Sequence, residues 1–209
     1  LEDFGPFALE LTTVLEYALK KLQKSTPKTY CYILELLATV LNVGLLGKVA
    51  GQRISNIDIS NILNTFVVAK WDFIQTDPDL VHLSVSLFSS LAQNRPSYFL
   101  HDIDSFKFII ETTVSLLFTK EKLVIKAVSK FWCSLISPKK VTAEEEEALR
   151  SFVENEVGAF LTYSVFSALI DSSRSDLEQY GNIVVLLLVR YTLRFKEWAT
   201  VALERVNAE

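Results

Sequence analysis

IDISNILNTFVVAKWDFIQTDPDLVHLSVSLFSSLAQNRPSYFL, residues 57–100, is the stretch that decides the fold. Ile62, Phe66, Val67 and Ile74 recur at helical spacing and predict a helix from about Ile57 to Gln75. Asp77-Pro78 interrupts it: Asp carries an N-cap acceptor, and Pro is preset for the first helical position. Leu80, Leu83, Leu87, Phe88 and Leu91 then trace a second apolar stripe, which Asn94-Arg95-Pro96 ends. Two amphipathic helices joined by a tight polar break read as an antiparallel helical pair.

The same beat recurs on both sides. Gly5-Pro6 opens a helix with Phe7, Leu11, Val14, Leu15 and Leu22 on one stripe. Thr26-Pro27 caps and begins its partner, which carries Ile33, Leu34, Leu37, Val40 and Leu41. Gly44 to Asn56 reads as a loop, either an ordinary connection or a mobile contact loop. Asp104 is expected to cap a helix bearing Phe108, Ile109, Val114 and Leu117, followed by a partner over Lys120–Ile136. Thr142 and Glu145 fit a capping box at the start of a long helix to about Asp171. Ser175 and Glu178 fit a second box, and Arg194–Val206 reads as a last helix. First helices therefore start near residues 6, 57, 104, 144 and 191, about 40 to 51 residues apart, the period of HEAT-type pairs. The expected fold is all-α: an α-solenoid of about five HEAT-like antiparallel pairs over 4–45, 57–95, 104–137 and 142–190, with a terminal helix at 191–209.

Composition fits that class. The 209 residues are half apolar with only 6 Gly and 5 Pro, which leaves little material for long loops or hairpin turns. A mean hydropathy of +0.27 is high, and reads as helices buried on more than one side. The longest strongly apolar run, Ile183–Val189, is far short of the roughly 20 residues that span a bilayer, so no membrane partner is expected. A net charge of −4 argues against a general nucleic-acid binder. Cys31 and Cys133 sit about 100 positions apart inside helical patterns and read as buried reduced thiols, not a disulfide framework. The chain contains no Met and is expected to be a piece of a longer protein.

Chemistry-bearing patterns are missing. His82 and His101 have no companion at metal-ligand spacing, no glycine-rich phosphate loop occurs, and no Ser lies in a nucleophile elbow. Neither enzyme activity nor a cofactor is expected. Binding is expected instead on the polar stripes of the second helices, which in stacked pairs tend to line the concave wall. These stripes are Lys28, Tyr32, Glu35, Thr39 and Asn42; Asp79, His82, Ser86, Ser90 and Gln93; Lys122, Lys126, Ser129 and Lys130; and Gln179, Asn182 and Arg190. Lys122, Lys126 and Lys130 stand one turn apart and repel one another, which reads either as a solvated face or as a surface for an acidic neighbour. Glu144–Glu147 reads as carboxylates favoured at a helix N-terminus, or as an acidic patch facing a basic segment. Trp71, Trp132 and Trp198 are expected in the packing between helices.

Three stretches carry a family resemblance. FGPFALELTTVLEYAL (Phe4–Leu19), LFSSLAQNRPSYFL (Leu87–Leu100) and SRSDLEQYGNIVVLLLVRYTLRFKEWATVAL (Ser173–Leu203) resemble, in that order, the C-terminal part of a β-karyopherin of the importin-13 and transportin-SR branch. The resemblance implies a HEAT superhelix that wraps protein cargo for nucleocytoplasmic transport and exchanges it under control of the GTPase Ran. In that family the main Ran-binding arch is N-terminal, outside this stretch. The resemblance further implies nucleoporins as partners and residence in nucleus and cytoplasm. It carries no individual cargo ligand onto this chain. Rival readings are a HEAT or armadillo scaffold unrelated to transport, and a small helical enzyme or lipid-binding domain.

Overall fold

A computed structural model describes residues 26–46 and 55–207, together with Glu10, Thr13, Val14 and Tyr17. The helix expected from Pro6, and with it most of Phe4–Leu19, lies outside the described residues. Among the described residues every regular element is helical. Local caps explain several starts. Thr26 Oγ1 accepts the Thr29 N–H at 3.3 Å and opens α1, Pro27–Leu46. Asp77 accepts from Asp79 N at 2.9 Å and Leu80 N at 3.4 Å, with Pro78 at the first position of α4, Pro78–Asn94. The helix α1 carries through Gly44, so the loop expected there begins no earlier than residue 47; residues 47–54 lie outside the described residues.

The helix expected over Ile57–Gln75 is broken. It divides into α2, Asn56–Phe66, a 3₁₀ turn at Val68–Lys70, and the single turn α3, Trp71–Ile74. A long-range hydrogen bond explains the break: the buried Tyr30 hydroxyl donates to the Phe66 carbonyl at 2.6 Å. The Lys70 N–H, which would continue the α ladder to that carbonyl, bonds Val67 O instead.

The next helix, α5, spans Ile103–Ser115, and its cap is Asp102, not the expected Asp104. Asp102 Oδ1 accepts the Ser105 N–H at 3.0 Å, while Oδ2 accepts the Tyr98 hydroxyl at 3.0 Å. Burial alone would raise its pKa, but hydrogen bonding from Ser60, Ser105 and Tyr98 holds it below the ordinary carboxylate range. Asp104 stays in the first turn, where a carboxylate still favours the helix dipole.

After α6, Lys122–Ile136, the expected capping box forms at α7, Ala143–Phe152. Thr142 Oγ1 accepts Glu145 N at 3.2 Å, and Glu145 accepts Thr142 N at 2.8 Å. Replacing Thr142 by Ala should lower stability by about 1 kcal/mol. The hydrogen bond from the Thr142 backbone holds the Glu145 carboxyl below the usual range. Its contribution is therefore present above the unfolded pKa and lost as pH falls through the lowered folded value. Acid titration followed by circular dichroism should show a shallower acid limb in Glu145→Gln, which removes the titrating carboxylate, than in the wild type.

The long helix expected from Thr142 to Asp171 exists as one helical run, but with a π turn at Val153–Val157 before α8, Gly158–Ile170. Its buried residues Leu149, Val153, Val157, Leu161 and Val165 are spaced by four. On a straight α-helix such a stripe drifts by about 40° per step, and the wider π turn takes back part of that drift. The chain ends its described part with α9, Leu177–Arg190, and α10, Thr192–Val206. No capping box forms at α9: the N-cap is Asp176 without a side-chain cap bond, and the Ser173 and Ser175 hydroxyls turn to its buried carboxylate instead.

The helices pack in a definite order. The helix α4 lies against α1 and α6, and α6 lies against α9 as well. Elsewhere α2 touches α5, and α8 packs on α10. One apolar cluster runs from Tyr30 to Phe195 through an aromatic chain in which Phe99 meets Phe131 and Phe106, and Phe106 meets Phe152. Trp132 is fully buried, Trp71 sets its edge against Phe108, and Trp198 is half-buried beside Tyr191. Among the described residues no helix is long and apolar enough to cross a membrane.

Candidate interaction surface

The helices α1, α4, α6 and α9, each touching the next, leave one sector of their circumference uncovered. On α1 that sector holds Lys28, Tyr32, Glu35 and Thr39, all exposed, with Tyr32 at 61%. The Asn42 side chain lies outside the described residues. On α4, Asp79 and Gln93 are exposed and His82 is half-buried, facing Ser86 one turn on. On α6, Lys122, Lys126 and Lys130 are exposed. These residues fall where the helical spacing puts them.

Two elements depart from the expected stripes. Ser129 is buried, its hydroxyl donating to the Gln179 carbonyl at 2.8 Å across the α6–α9 contact. Gln179 is correspondingly half-buried, and of the α9 stripe only Asn182 stands free on this side. Arg190 is exposed but committed, 3.1 Å from Glu146 and 3.1 Å from Ser137 Oγ. The α9 sector is instead completed by Glu178, Val185 and Val189, the two valines 57% and 67% exposed. The apolar run Ile183–Val189 thus shows an apolar edge to solvent. Hydropathy gave no signal for this, because it counts apolar residues without saying which side of the helix a neighbour covers.

A groove of about 270 Å³ joins three of these helices. Gln93 of α4, Cys133 and Ser134 of α6, and Leu186 of α9 all line it, which sets the three helices' free sectors on a common side. Cys133 is half-buried and not fully enclosed as expected; burial pushes its thiol pKa up, against a hydrogen bond from Ser129. Cys31 is also half-buried and free. Burial raises its pKa, and the carboxylates of Asp77, Asp79 and Glu35 raise it further, which marks the α1–α4 side as locally acidic.

The α6 side is the opposite in sign. The four ion pairs among the described residues join Lys107 to Glu111, Arg190 to Glu146, and Arg194 to both Glu154 and Glu197. None of them engages Lys122, Lys126 or Lys130. Glu145, in the acidic run, is taken up by its capping box and Glu146 by Arg190, so half of that run has a partner inside the fold. His101 is exposed in the turn before Asp102. Among the described residues no group of three His, Cys, Asp or Glu side chains could hold a metal ion.

No protein-family model matches this chain, and no curated protein matches it.

Proposed function

We propose that the chain is a segment of an α-solenoid whose second-helix row binds a protein partner. Following the resemblance of its three motifs, we infer that it serves as cargo-binding HEAT repeats of a β-karyopherin-type nuclear transport receptor. The observation that supports the first step is the packing order, in which α1 lies against α4, α4 against α6 and α6 against α9. Units that bury their faces mainly against the next unit in line leave a long free face, and such faces serve macromolecular recognition. The free sector here is mixed: tyrosine, carboxylates, lysines, amides and two exposed valines. Such a mixture fits a folded protein surface better than a small substrate.

The transport reading rests on the motifs. In it, Ran acts through the N-terminal arch outside this stretch, nucleoporins are further partners, and the receptor shuttles between nucleus and cytoplasm. A pull-down of the intact protein with GTP-loaded Ran tests it. Nucleotide-dependent capture is expected; absence of capture by the intact protein would leave the scaffold reading, which the same packing order supports equally well.

The lysine stripe gives a second test. Reversing Lys122, Lys126 and Lys130 to Glu should weaken partner capture about tenfold. Helicity should be unchanged and stability should move by no more than about 0.5 kcal/mol, because the three side chains are exposed and outside the ion pairs. An equal loss of capture and stability would show that these lysines support the fold instead.

A further inference from the structure

We propose that the α6 lysine ridge and the groove at its C-terminal end dock an acidic segment of a partner protein, its carboxylates along the lysines and an apolar side chain in the groove. This deepens the protein-binding reading of the free face but does not depend on a role in transport.

The charge distribution carries the inference. Residues 120–140 hold six lysines against the single Glu121, a net of +5, in a chain whose formal net charge is −4. All six lysines are exposed. Lys140 donates to the Asn94 side chain at 2.7 Å, but none of the six enters an ion pair among the described residues. The surplus acid of the chain has therefore not been folded onto this ridge. Lys122, Lys126 and Lys130 stand one helical turn apart, about 6 Å from one to the next. A partner helix with carboxylates at every fourth position has the same repeat.

The groove fixes the chemistry further. It opens beside the C-terminal half of α6, with Lys139 on its wall together with Gln93, Ser134 and Leu186. Exposed Val185 and Val189 continue the apolar edge along α9. A ligand that is charged along one part and apolar at another matches this layout. Nucleic acid fits less well: arginine forks and exposed aromatic platforms are the usual means of holding a strand. Neither occurs on the ridge, whose exposed members are three lysines and Leu123.

The test uses a fluorescent random copolymer of glutamate and tyrosine, with anisotropy read against the full 209-residue chain. Saturable binding is expected, weakening steeply with added salt as screening requires. The variant Lys122→Glu/Lys126→Glu/Lys130→Glu should bind about tenfold more weakly. The control Lys70→Glu/Lys196→Glu, on exposed positions of other elements, should stay within about twofold of the wild type. Should the triple reversal unfold, as circular dichroism would reveal, Lys→Gln at the same three positions should still give a clear loss. A duplex DNA oligonucleotide and phosphatidylserine vesicles should each bind at least tenfold more weakly than the copolymer. Lack of copolymer binding, equal binding by the triple variant, or equal binding of DNA or vesicles would each overturn the proposal. The Ran pull-down is independent of all these outcomes, so either reading can fail while the other stands.

Discussion

Replacing Gly158 by valine should destabilise the protein by about 3 kcal/mol, the upper end of ordinary overpacking losses. Gly158 begins α8 just after the π turn, and the Trp198 ring of α10 lies directly on it. A Cβ at this position would come within 2.3 Å of Trp198 Cη2 and 2.6 Å of Cζ3, far inside contact distance. The backbone there is ordinary right-handed helix, so the requirement for glycine is one of space and not of φ. Trp198 cannot simply swing clear, because Tyr191 stands beside it with ring centroids 5.9 Å apart. Even Gly158→Ala should cost about 1–2 kcal/mol despite alanine's better helix propensity. A double-mutant cycle with Trp198→Ala checks the cause: most of the penalty of the Gly158 substitution should disappear when the ring is removed. Additive losses would mean that the glycine is needed for something other than this contact. Gly181, in contrast, has nothing within 4 Å of a built Cβ, and Gly181→Ala should be neutral or slightly stabilising, since it lies within α9.

Trp132→Ala should lose about 4 kcal/mol, the range found for emptying a large aromatic site in a core. Trp132 on α6 is 0% exposed and sits edge-on to Phe131, which in turn meets Phe99. The indole Nε1, however, is a buried donor without a hydrogen-bond partner. An unsatisfied buried donor costs about 1–3 kcal/mol. Trp132→Phe removes that donor while keeping most of the apolar volume, and should therefore fall within about 1–2 kcal/mol of the wild type. Chemical denaturation of the three proteins measures this directly. If Phe were as damaging as Ala, the indole nitrogen would have to be engaged in solution.

Local signals made much of this legible from the sequence. Pro78, with Asp77 before it, and the Thr142–Glu145 pair mark helix starts through bonds made within four residues, and such bonds are written in the residue types themselves. The first-helix starts expected at 57, 104, 144 and 191 lie within a residue of those observed at Asn56, Ile103, Ala143 and Thr192. The failures are long-range. Tyr30 breaks the helix after Phe66 from 36 residues away, and no local pattern announces it. Tyr98 helps select Asp102 over Asp104 as a cap. Ser129 looked like a surface hydroxyl until Gln179, 50 positions on, supplied a carbonyl for it. On the candidate surface, α1, α4 and α6 could be read because each has a polar side and an apolar one. Apart from Ser129, the departure lies on α9, whose Val185 and Val189 are apolar residues with solvent in front of them.

Everything functional here depends on α1, α4, α6 and α9 lying in sequence, with α1 and α9 at opposite ends. A distance between nitroxide labels at Thr39→Cys on α1 and Asn182→Cys on α9 measures that arrangement, in a background with Cys31 and Cys133 changed to Ser. Both labelled positions are exposed. Three interaxial steps of about 8–10 Å put the two axes about 24–30 Å apart, and the label tethers extend the expected separation to about 30–40 Å. A distance below about 20 Å would put α1 beside α9 in a closed bundle, with no continuous free face for a protein partner.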